Sequence, residues 1–254
     1  MKRIYLIVAL TTYSVVSNAQ DTGAPVHKDP IATDRPDQTE TPAIVPTGMF
    51  QAEIGFAFEK GNAGEETFVH PTALWKYGVN ENFELRIITE FSSLNAPDKK
   101  ITGLSPVLFG FKAKLLEEKG FIPKTSIIAH LQVPDLASKE LKAEYYAALF
   151  RFTMQHTLSE HISLGYNLGA EWNGMTPNAT FIYTLTTGFG LTEKLGCYVE
   201  VFGFAPEDET AYHSADGGFT YLVSDDFMLD ASAGFGITEE APDYYVSLGF
   251  SFRL

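Results

Sequence analysis

Apolar and polar residues alternate one by one along most of the chain after residue 47. The clearest stretch runs over the twelve residues from His161 to Trp172, where apolar side chains occupy the even positions and polar residues or glycines occupy the odd ones. A period of two residues predicts a β-strand with one apolar and one polar face. At about 3.3 Å per residue that strand is roughly 40 Å long, whereas strands of soluble sheets usually have about 5–6 residues.

The same alternation predicts twelve strands in all. They lie near residues 50–59, 66–78, 83–91, 104–116, 122–133, 143–156, 161–172, 179–191, 195–204, 212–223, 227–237 and 244–254. Short polar turns alternate with longer connectors at 60–65, 92–103, 134–142, 173–178, 205–211 and 238–243. Bacterial outer-membrane barrels show this alternation of turns and loops, and an even strand number places both ends of the sheet on the periplasmic side. We therefore predict an all-β fold, an antiparallel transmembrane β-barrel over residues 48–254.

A soluble β-sandwich shares the alternation, because its strands also have one apolar and one polar face. The strand lengths, the aromatic-rich apolar faces and the final strand favour the membrane barrel. That final strand, ending in Phe250 to Leu254, resembles the signal read by the barrel-assembly machinery, although the signal usually ends in Phe. The expected partners are thus outer-membrane lipid and, during biogenesis, the barrel-assembly machinery.

The first residues predict export. Lys2 and Arg3 precede an apolar run from Ile4 to Val16, and the small residues at 17–19 suit a signal peptidase. The run is short for a spanning helix, so an uncleaved membrane anchor is the weaker alternative. We predict a signal peptide over residues 1–19 and a Gram-negative outer-membrane protein whose two termini lie in the periplasm.

The composition of the chain argues against several classes of protein. Without residues 1–19 the chain has 16 Lys and Arg against 32 Asp and Glu, a formal charge of −16. This acidity argues against a partner such as nucleic acid or anionic lipid, both of which bind basic patches. The single cysteine, Cys197, excludes an internal disulfide and is predicted to face lipid. No later stretch has about 18 consecutive apolar residues, which excludes a helical membrane protein.

Residues 20–47 carry five prolines among many Asp, Thr and Glu residues, and this composition predicts an extended segment. The run from Thr33 to Pro42, followed by residues 45–53, resembles the opening of outer-membrane proteins of the MetA-pathway of phenol degradation family, known from Bacteroidetes as transporters. The matching motif residues are Asp34, Arg35, Pro36, Asp37, Gln38 and Glu40. The resemblance extends from about residue 31 to the C-terminus and implies a small barrel that passes aromatic or other hydrophobic compounds.

The motif also has a physical interpretation. Asp34, Arg35 and Asp37 form an acid–base–acid cluster stiffened by Pro36. Arg35 is able to form a two-point ion pair with a carboxylate of the barrel wall, which would hold the segment inside the barrel or across its periplasmic mouth as a plug. A solvated tether before the first strand is the equally weighted alternative.

If the apolar faces meet lipid, the opposite faces line the lumen. We predict that the lumen is lined by Glu53, Glu59, Glu84, Arg86, Glu90, Lys112, Lys114, His130, Gln132, Arg151, Glu171, Glu200, Asp230 and Arg253. A hydrophobic solute would contact the apolar residues of this face, Tyr145, Leu149, Tyr198, Phe202, Phe204 and Leu222. The charged residues either select polar solutes or pair with one another and fill a narrow interior, and the second interpretation is favoured. Candidates for the outward aromatic girdles are Trp75, Tyr77, Tyr166, Trp172, Tyr183, Tyr221 and Tyr244.

No enzyme is expected, because the six histidines are dispersed and no phosphate loop or metal-ligand spacing occurs. No cofactor or metal is expected either. The sequence favours a channel or transporter through which a small-molecule solute, aromatic or hydrophobic, diffuses passively. The alternative is a structural or surface-binding barrel without transport, which the short connectors disfavour.

Overall fold

The fold of residues 29–254 is described by a computed structural model. The predicted signal peptide, residues 1–19, lies outside these described residues. The strands are β1 (Phe50–Lys60), β2 (Glu66–Asn80), β3 (Phe83–Ala96), β4 (Lys99–Leu104), β5 (Val107–Leu116), β6 (Lys124–Val133), β7 (Ala147–Ser159), β8 (Ile162–Glu171), β9 (Thr180–Gly190), β10 (Leu195–Pro206), β11 (Tyr212–Ser224), β12 (Phe227–Gly236) and β13 (Tyr244–Arg253). A single turn of 3-10 helix, Pro134–Leu136, follows β6.

The strands close into a barrel. Each strand pairs antiparallel with its neighbours, and β1 pairs with β13 from Gln51 opposite Arg253 to Lys60 opposite Tyr244. Both β4 and β5 pair with β3, so they form one wall strand that is interrupted at residues 105–106. Pro106 has no N–H group to donate across the sheet, which accounts for the break. The barrel therefore has twelve wall strands, and the predicted fold is confirmed.

Apolar side chains cover the outside of the barrel and polar side chains fill the inside. On β10, Val199 and Val201 are 59% and 49% exposed, whereas Tyr198, Glu200 and Phe202 between and beside them are buried. This arrangement is the reverse of that in a soluble protein, and it is stable because the outer face is solvated by lipid. The two-residue period of the sequence thus sorts each strand into a lipid-facing and a lumen-facing set.

The two ends of the barrel differ. Tight turns follow β2, β7, β9 and β11, and Phe50 and Leu254 exchange backbone hydrogen bonds at this same end, which we call the turn end. The connectors at the other end, the loop end, include the longest one, residues 134–146. In outer-membrane barrels the turn end faces the periplasm.

The loop predicted at residues 92–103 is wrong. Strand β3 continues to Ala96 and β4 begins at Lys99, so the two strands extend the wall as a hairpin. The hydroxyls of Ser93 and Thr102 lie 2.8 Å apart across this hairpin. The alternation is weak there because polar residues occupy both faces where the hairpin rises towards the loop end.

The lipid-facing assignment predicts a depth-dependent cost for charge. Val201→Arg, in the middle of β10, should destabilise the folded barrel by about 2–4 kcal/mol, whereas Val223→Arg, beside the turn after β11, should cost about 0–1 kcal/mol. Both valines are outward and about half exposed. Denaturant titration in lipid vesicles, followed by the heat-modifiable mobility of the folded barrel, measures the two values. Equal costs would contradict the assignment.

Candidate functional site

Residues 29–47 run inside the barrel. The segment enters at the turn end, where Ile31 N–H donates to the backbone oxygen of Asp225 at 2.7 Å and Arg253 donates to that of Asp29 at 2.8 Å. It returns to the turn end at Gly48, whose N–H donates to the backbone oxygen of Gly78 at 2.7 Å. Between these points the segment forms hydrogen bonds with inward side chains around most of the wall.

Asp34 lies at the centre of a buried ion network. Its carboxylate accepts hydrogen bonds from Lys112 at 2.8 Å, Arg86 at 2.9 Å and Lys76 at 3.1 Å, which come from β5, β3 and β2. The side chains of all four residues are at most 3% exposed. A carboxylate that is removed from water needs such partners, because an unpaired buried charge costs several kcal/mol. Asp34 therefore joins the segment to three adjacent wall strands.

Three further carboxylates surround the same cations. Glu40 of the segment meets Arg86 at 2.6 Å, Glu84 meets Arg86 at 3.1 Å, and Glu53 pairs with Lys76. The wall carboxylates also bind the segment directly, since Glu53 accepts the Asp34 N–H at 2.9 Å and Glu84 accepts the N–H of Val45 at 2.8 Å. We call Asp34, Glu40, Glu53, Lys76, Glu84, Arg86 and Lys112 the ion cage.

Asp34 stays ionised at neutral pH. Burial alone would raise the pKa of the Asp34 carboxyl, but Lys112, Lys76 and Arg86 outweigh burial and hold that pKa well below its ordinary value. A carboxyl with a lowered pKa stabilises the structure while it is ionised, and this stabilisation is lost only as the pH falls through the lowered pKa. The pairing of Asp34 with its three cations is therefore insensitive to pH around neutrality.

Arg35 binds the wall on the other side of β1. Its guanidinium donates to both carboxylate oxygens of Asp230 on β12, at 2.8 and 3.4 Å, and to the Ser247 hydroxyl on β13 at 2.9 Å. Gly55 and Gly249 face each other across β1 and β13, and a Cβ atom at either position would collide with this guanidinium. Two glycines thus create the space in which Arg35 forms its two-point ion pair.

The middle of the segment contacts β8, β9 and β10. Gln38 N–H donates to Glu200 at 2.7 Å, and the Thr39 hydroxyl lies between Glu200 and the hydroxyl of Thr184. Asn167 binds the backbone of Glu40 in both directions, accepting from its N–H at 2.8 Å and donating to its oxygen at 3.0 Å. These contacts satisfy backbone groups that an irregular segment would otherwise bury without partners.

The segment lies between two cavities of the lumen. The loop-end cavity has a volume of about 500 Å³, and its lining includes Glu59, Glu171, Phe202, Phe204 and Tyr212. The turn-end cavity has a volume of about 430 Å³, and its lining combines polar residues of β7 to β11 with Phe189, Tyr198 and Met228. Residues Arg35, Pro36 and Asp37 line both cavities. We call these three residues the step, because they are the part of the segment that lies between the cavities.

Asp37 adds little charge to the step. Burial, reinforced by the nearby carboxylates of Asp216 and Asp34, raises the pKa of Asp37 to about 8. The carboxyl is therefore largely protonated at neutral pH. The step then presents one charged side chain, that of Arg35, which is paired with Asp230.

The structure places the other predicted lumen residues on the inner wall in different settings. Glu90 accepts from the hydroxyls of Thr72 and Ser105, and Arg151 donates to the backbone oxygen of Gln38 at 3.1 Å. His130 is 5% exposed, and neither of its ring nitrogens has a hydrogen-bond partner among residues 29–254. These residues do not meet at one point, so the predicted set is a lining and not a single site.

The prediction that Tyr145 lines the lumen is wrong. The sequence placed it on an inward strand face, but β7 begins at Ala147 and Tyr145 lies in the preceding loop with 59% exposure. The apparent alternation before Ala147 continues into a loop that binds Gly174 through the Tyr145 N–H at 2.8 Å. Leu149 is on the inward face that Arg151 shares.

Sequence reasoning missed several residues of the segment's binding surface. Lys76 lies between Trp75 and Tyr77, both predicted to face outward, so the two-residue period already placed Lys76 in the lumen. Asn167 on β8, which binds Glu40, and Ser126 on β6, which binds the backbone oxygen of Pro42, could have been found in the same way. Their partners in the segment have no periodicity, and nothing in the sequence pairs them.

A groove on the outer surface is distinct from the lumen. Its volume is about 630 Å³, and outward rings of Phe56, Phe58 and Phe68 contribute to its lining together with Val246 and Leu248. Apolar side chains on the outer face of a barrel contact lipid tails. This groove therefore belongs to the membrane-facing surface.

A closed twelve-stranded barrel with an apolar outside, a charged inside and a segment folded into its lumen is an outer-membrane barrel. The family model described as "Putative MetA-pathway of phenol degradation" matches residues 33–254. The chain belongs to this family, and the resemblance seen in its N-terminal motif is confirmed.

Solved structures share the fold. An outer membrane channel from Pseudomonas putida F1 is similar with a TM-score of 0.67 at 10% identity, covering 84% of this chain and 97% of that one. The porin NanC is similar with a TM-score of 0.58 at 7% identity, covering 80% and 100%. The translocator domain of the autotransporter NalP from Neisseria meningitidis has a TM-score of 0.51 at 10% identity, covering 83% and 90%. No curated protein sequence matches this chain.

The ion cage predicts the effect of removing one charge. Asp34→Asn leaves Lys112, Lys76 and Arg86 without their shared anion, which should weaken the contact of the segment by about 3–5 kcal/mol. Hydrogen exchange at the amides of Gln38 and Glu40 should accelerate about 100-fold or more, while exchange in the barrel strands is unchanged. Asp98→Asn, in an exposed turn, is the matched control. Unchanged exchange in the Asp34 variant would show that the ion cage does not hold the segment.

Proposed function

We propose that the protein is an outer-membrane channel through which small hydrophobic or aromatic molecules diffuse passively, with residues 29–47 as its plug. The family assignment supports this proposal, as does the fold shared with a protein described as an outer membrane channel. The observation that carries it is the lumen itself, in which the step, Arg35 to Asp37, lines the cavities on both of its sides.

The loop-end cavity suits a small aromatic solute. Phe202 and Phe204 pack edge to face with their centroids 6.0 Å apart, and Phe204 stacks on Tyr212 at 5.3 Å. The volume of about 500 Å³ lies within the range of roughly 300–1,000 Å³ that small-molecule sites occupy. Aromatic walls with a few polar groups are typical of such sites. The cavity therefore serves as the entrance from the cell exterior.

The plug is held unequally along its length. Asp34 is bound by three buried cations, whereas Arg35 is 20% exposed and is bound by one carboxylate and one hydroxyl. Partly exposed ion pairs contribute less than fully buried ones, because water and salt screen them. Moving the step aside thus costs less than releasing the whole segment. We propose that the ion cage anchors the plug while the step opens the path.

A structural or surface-binding barrel without transport is the alternative, but the short connectors offer little surface for a receptor or an adhesin. We assign no catalytic role to the barrel. Among residues 29–254 no group of three or more His, Cys, Asp or Glu residues is placed to hold a metal ion. The cavities on both sides of the step favour the channel.

The step predicts a gain of function. Arg35→Ala removes the contacts with Asp230 and Ser247, so the step should move more freely and join the two cavities. We expect a larger single-channel conductance in planar bilayers and faster uptake of phenol into vesicles than for the unmodified protein.

Arg253→Ala is the control for this experiment, because Arg253 holds the entry of the segment at Asp29 but does not touch the step. Its conductance should stay close to that of the unmodified protein. If Arg35→Ala left conductance and uptake unchanged in a correctly folded barrel, the step would not be the constriction. Equal uptake of all solutes with and without the unmodified protein would contradict the channel.

A further inference from the structure

We propose that the loop-end cavity discriminates among aromatic solutes by charge, preferring those that carry an ammonium group and rejecting aromatic carboxylates. The inference rests on the proposed function, and it names the solute class of the same cavity. Three features of residues 29–254 support it: two carboxylates without partners, a lining without an available cation, and a stacked aromatic pair.

Glu59 and Glu171 face the cavity from β1 and β8. Within the part of the chain that the structure describes, neither carboxylate has a hydrogen-bond donor or an ion-pair partner. Other inward carboxylates have donors. Glu53, Glu84 and Asp230 are each bound to a cation, and Glu90 accepts from two hydroxyls. Glu59 and Glu171 are therefore acceptors that a solute in the cavity is able to use.

The positive charges near the cavity are already engaged. Arg35 is the cation in the lining, and it is paired with Asp230. Arg151, on the strand next to Glu171, donates to the backbone oxygen of Gln38 and lies 4.0 Å from Glu40. The remaining lining groups that titrate are Asp37 and the phenols of Tyr212, Tyr244 and Tyr245. Among the described residues, an anionic solute thus meets carboxylates and finds no available cation.

The stacked rings of Phe204 and Tyr212 offer a second contact for an aromatic ammonium solute. Phe204 and Tyr212 stack with an interplanar angle of 26° and line the cavity together with both glutamates. An ammonium group is attracted to the face of an aromatic ring, and its three N–H donors match carboxylate oxygens. The ring of the solute packs against the same aromatic wall. A small arylalkylamine satisfies all three groups at once.

Three probes with the same ring and different charges test the inference. Benzylamine, benzyl alcohol and benzoate are titrated into the detergent-solubilised full-length barrel at pH 7, and their dissociation constants are measured by calorimetry. Benzylamine should bind at least about tenfold more tightly than benzoate, since juxtaposed like charges are strongly unfavourable and opposite charges favourable. In the double variant Glu59→Gln/Glu171→Gln this ratio should fall to about one, with benzyl alcohol unchanged.

Glu140→Gln/Glu240→Gln, which neutralises two exposed loop carboxylates, is the matched control and should retain the preference. The single variants Glu59→Gln and Glu171→Gln replace the double variant if it loses heat-modifiable mobility. Benzoate binding as tightly as benzylamine would overturn the inference, as would a preference that survives in the Gln variants. Flux is measured separately in vesicles, so a barrel that keeps the binding preference but passes no solute would contradict the channel and leave the inference standing.

Discussion

The structure depends on the pairing of Asp34 with three buried cations. Lys76, Arg86 and Lys112 point into a lumen that the N-terminal segment fills, so they are buried and need more negative charge than Glu53 and Glu84 supply. The N-terminal segment provides it. The same contacts give an irregular backbone its hydrogen bonds inside the barrel, where it would otherwise be unstable. The wall and the segment therefore stabilise each other, because the buried charges of each are paired with those of the other.

This dependence also organises the lumen for transport. The anchored part of the segment lies against β1 to β5, and the step crosses towards β12 and β13 with weaker contacts. The loop-end cavity, with its aromatic lining, and the turn-end cavity lie on the two sides of the step. An anchor that is separate from the step allows a small rearrangement to open the path while the plug remains in the barrel.

The barrel could be predicted from the sequence because one physical rule, the two-residue period of a strand between lipid and lumen, determines strand number and facing together. The same rule indicates Lys76, which was overlooked. The rule fails at residues 92–103, where both faces of the β3–β4 hairpin are polar, and at Tyr145, where alternation continues into a loop. The ion cage was beyond prediction, because a segment without periodicity chooses its partners in three dimensions. Arg35 was an exception, since its chemistry required a wall carboxylate.

The most direct test is the conductance of a barrel that lacks residues 20–47. We expect that this variant still folds, with reduced heat stability because the ion cage has lost Asp34 and Glu40, and that its single-channel conductance in planar bilayers is several times larger than that of the full-length protein. Unchanged conductance and heat stability would show instead that the segment neither fills the lumen nor stabilises the wall.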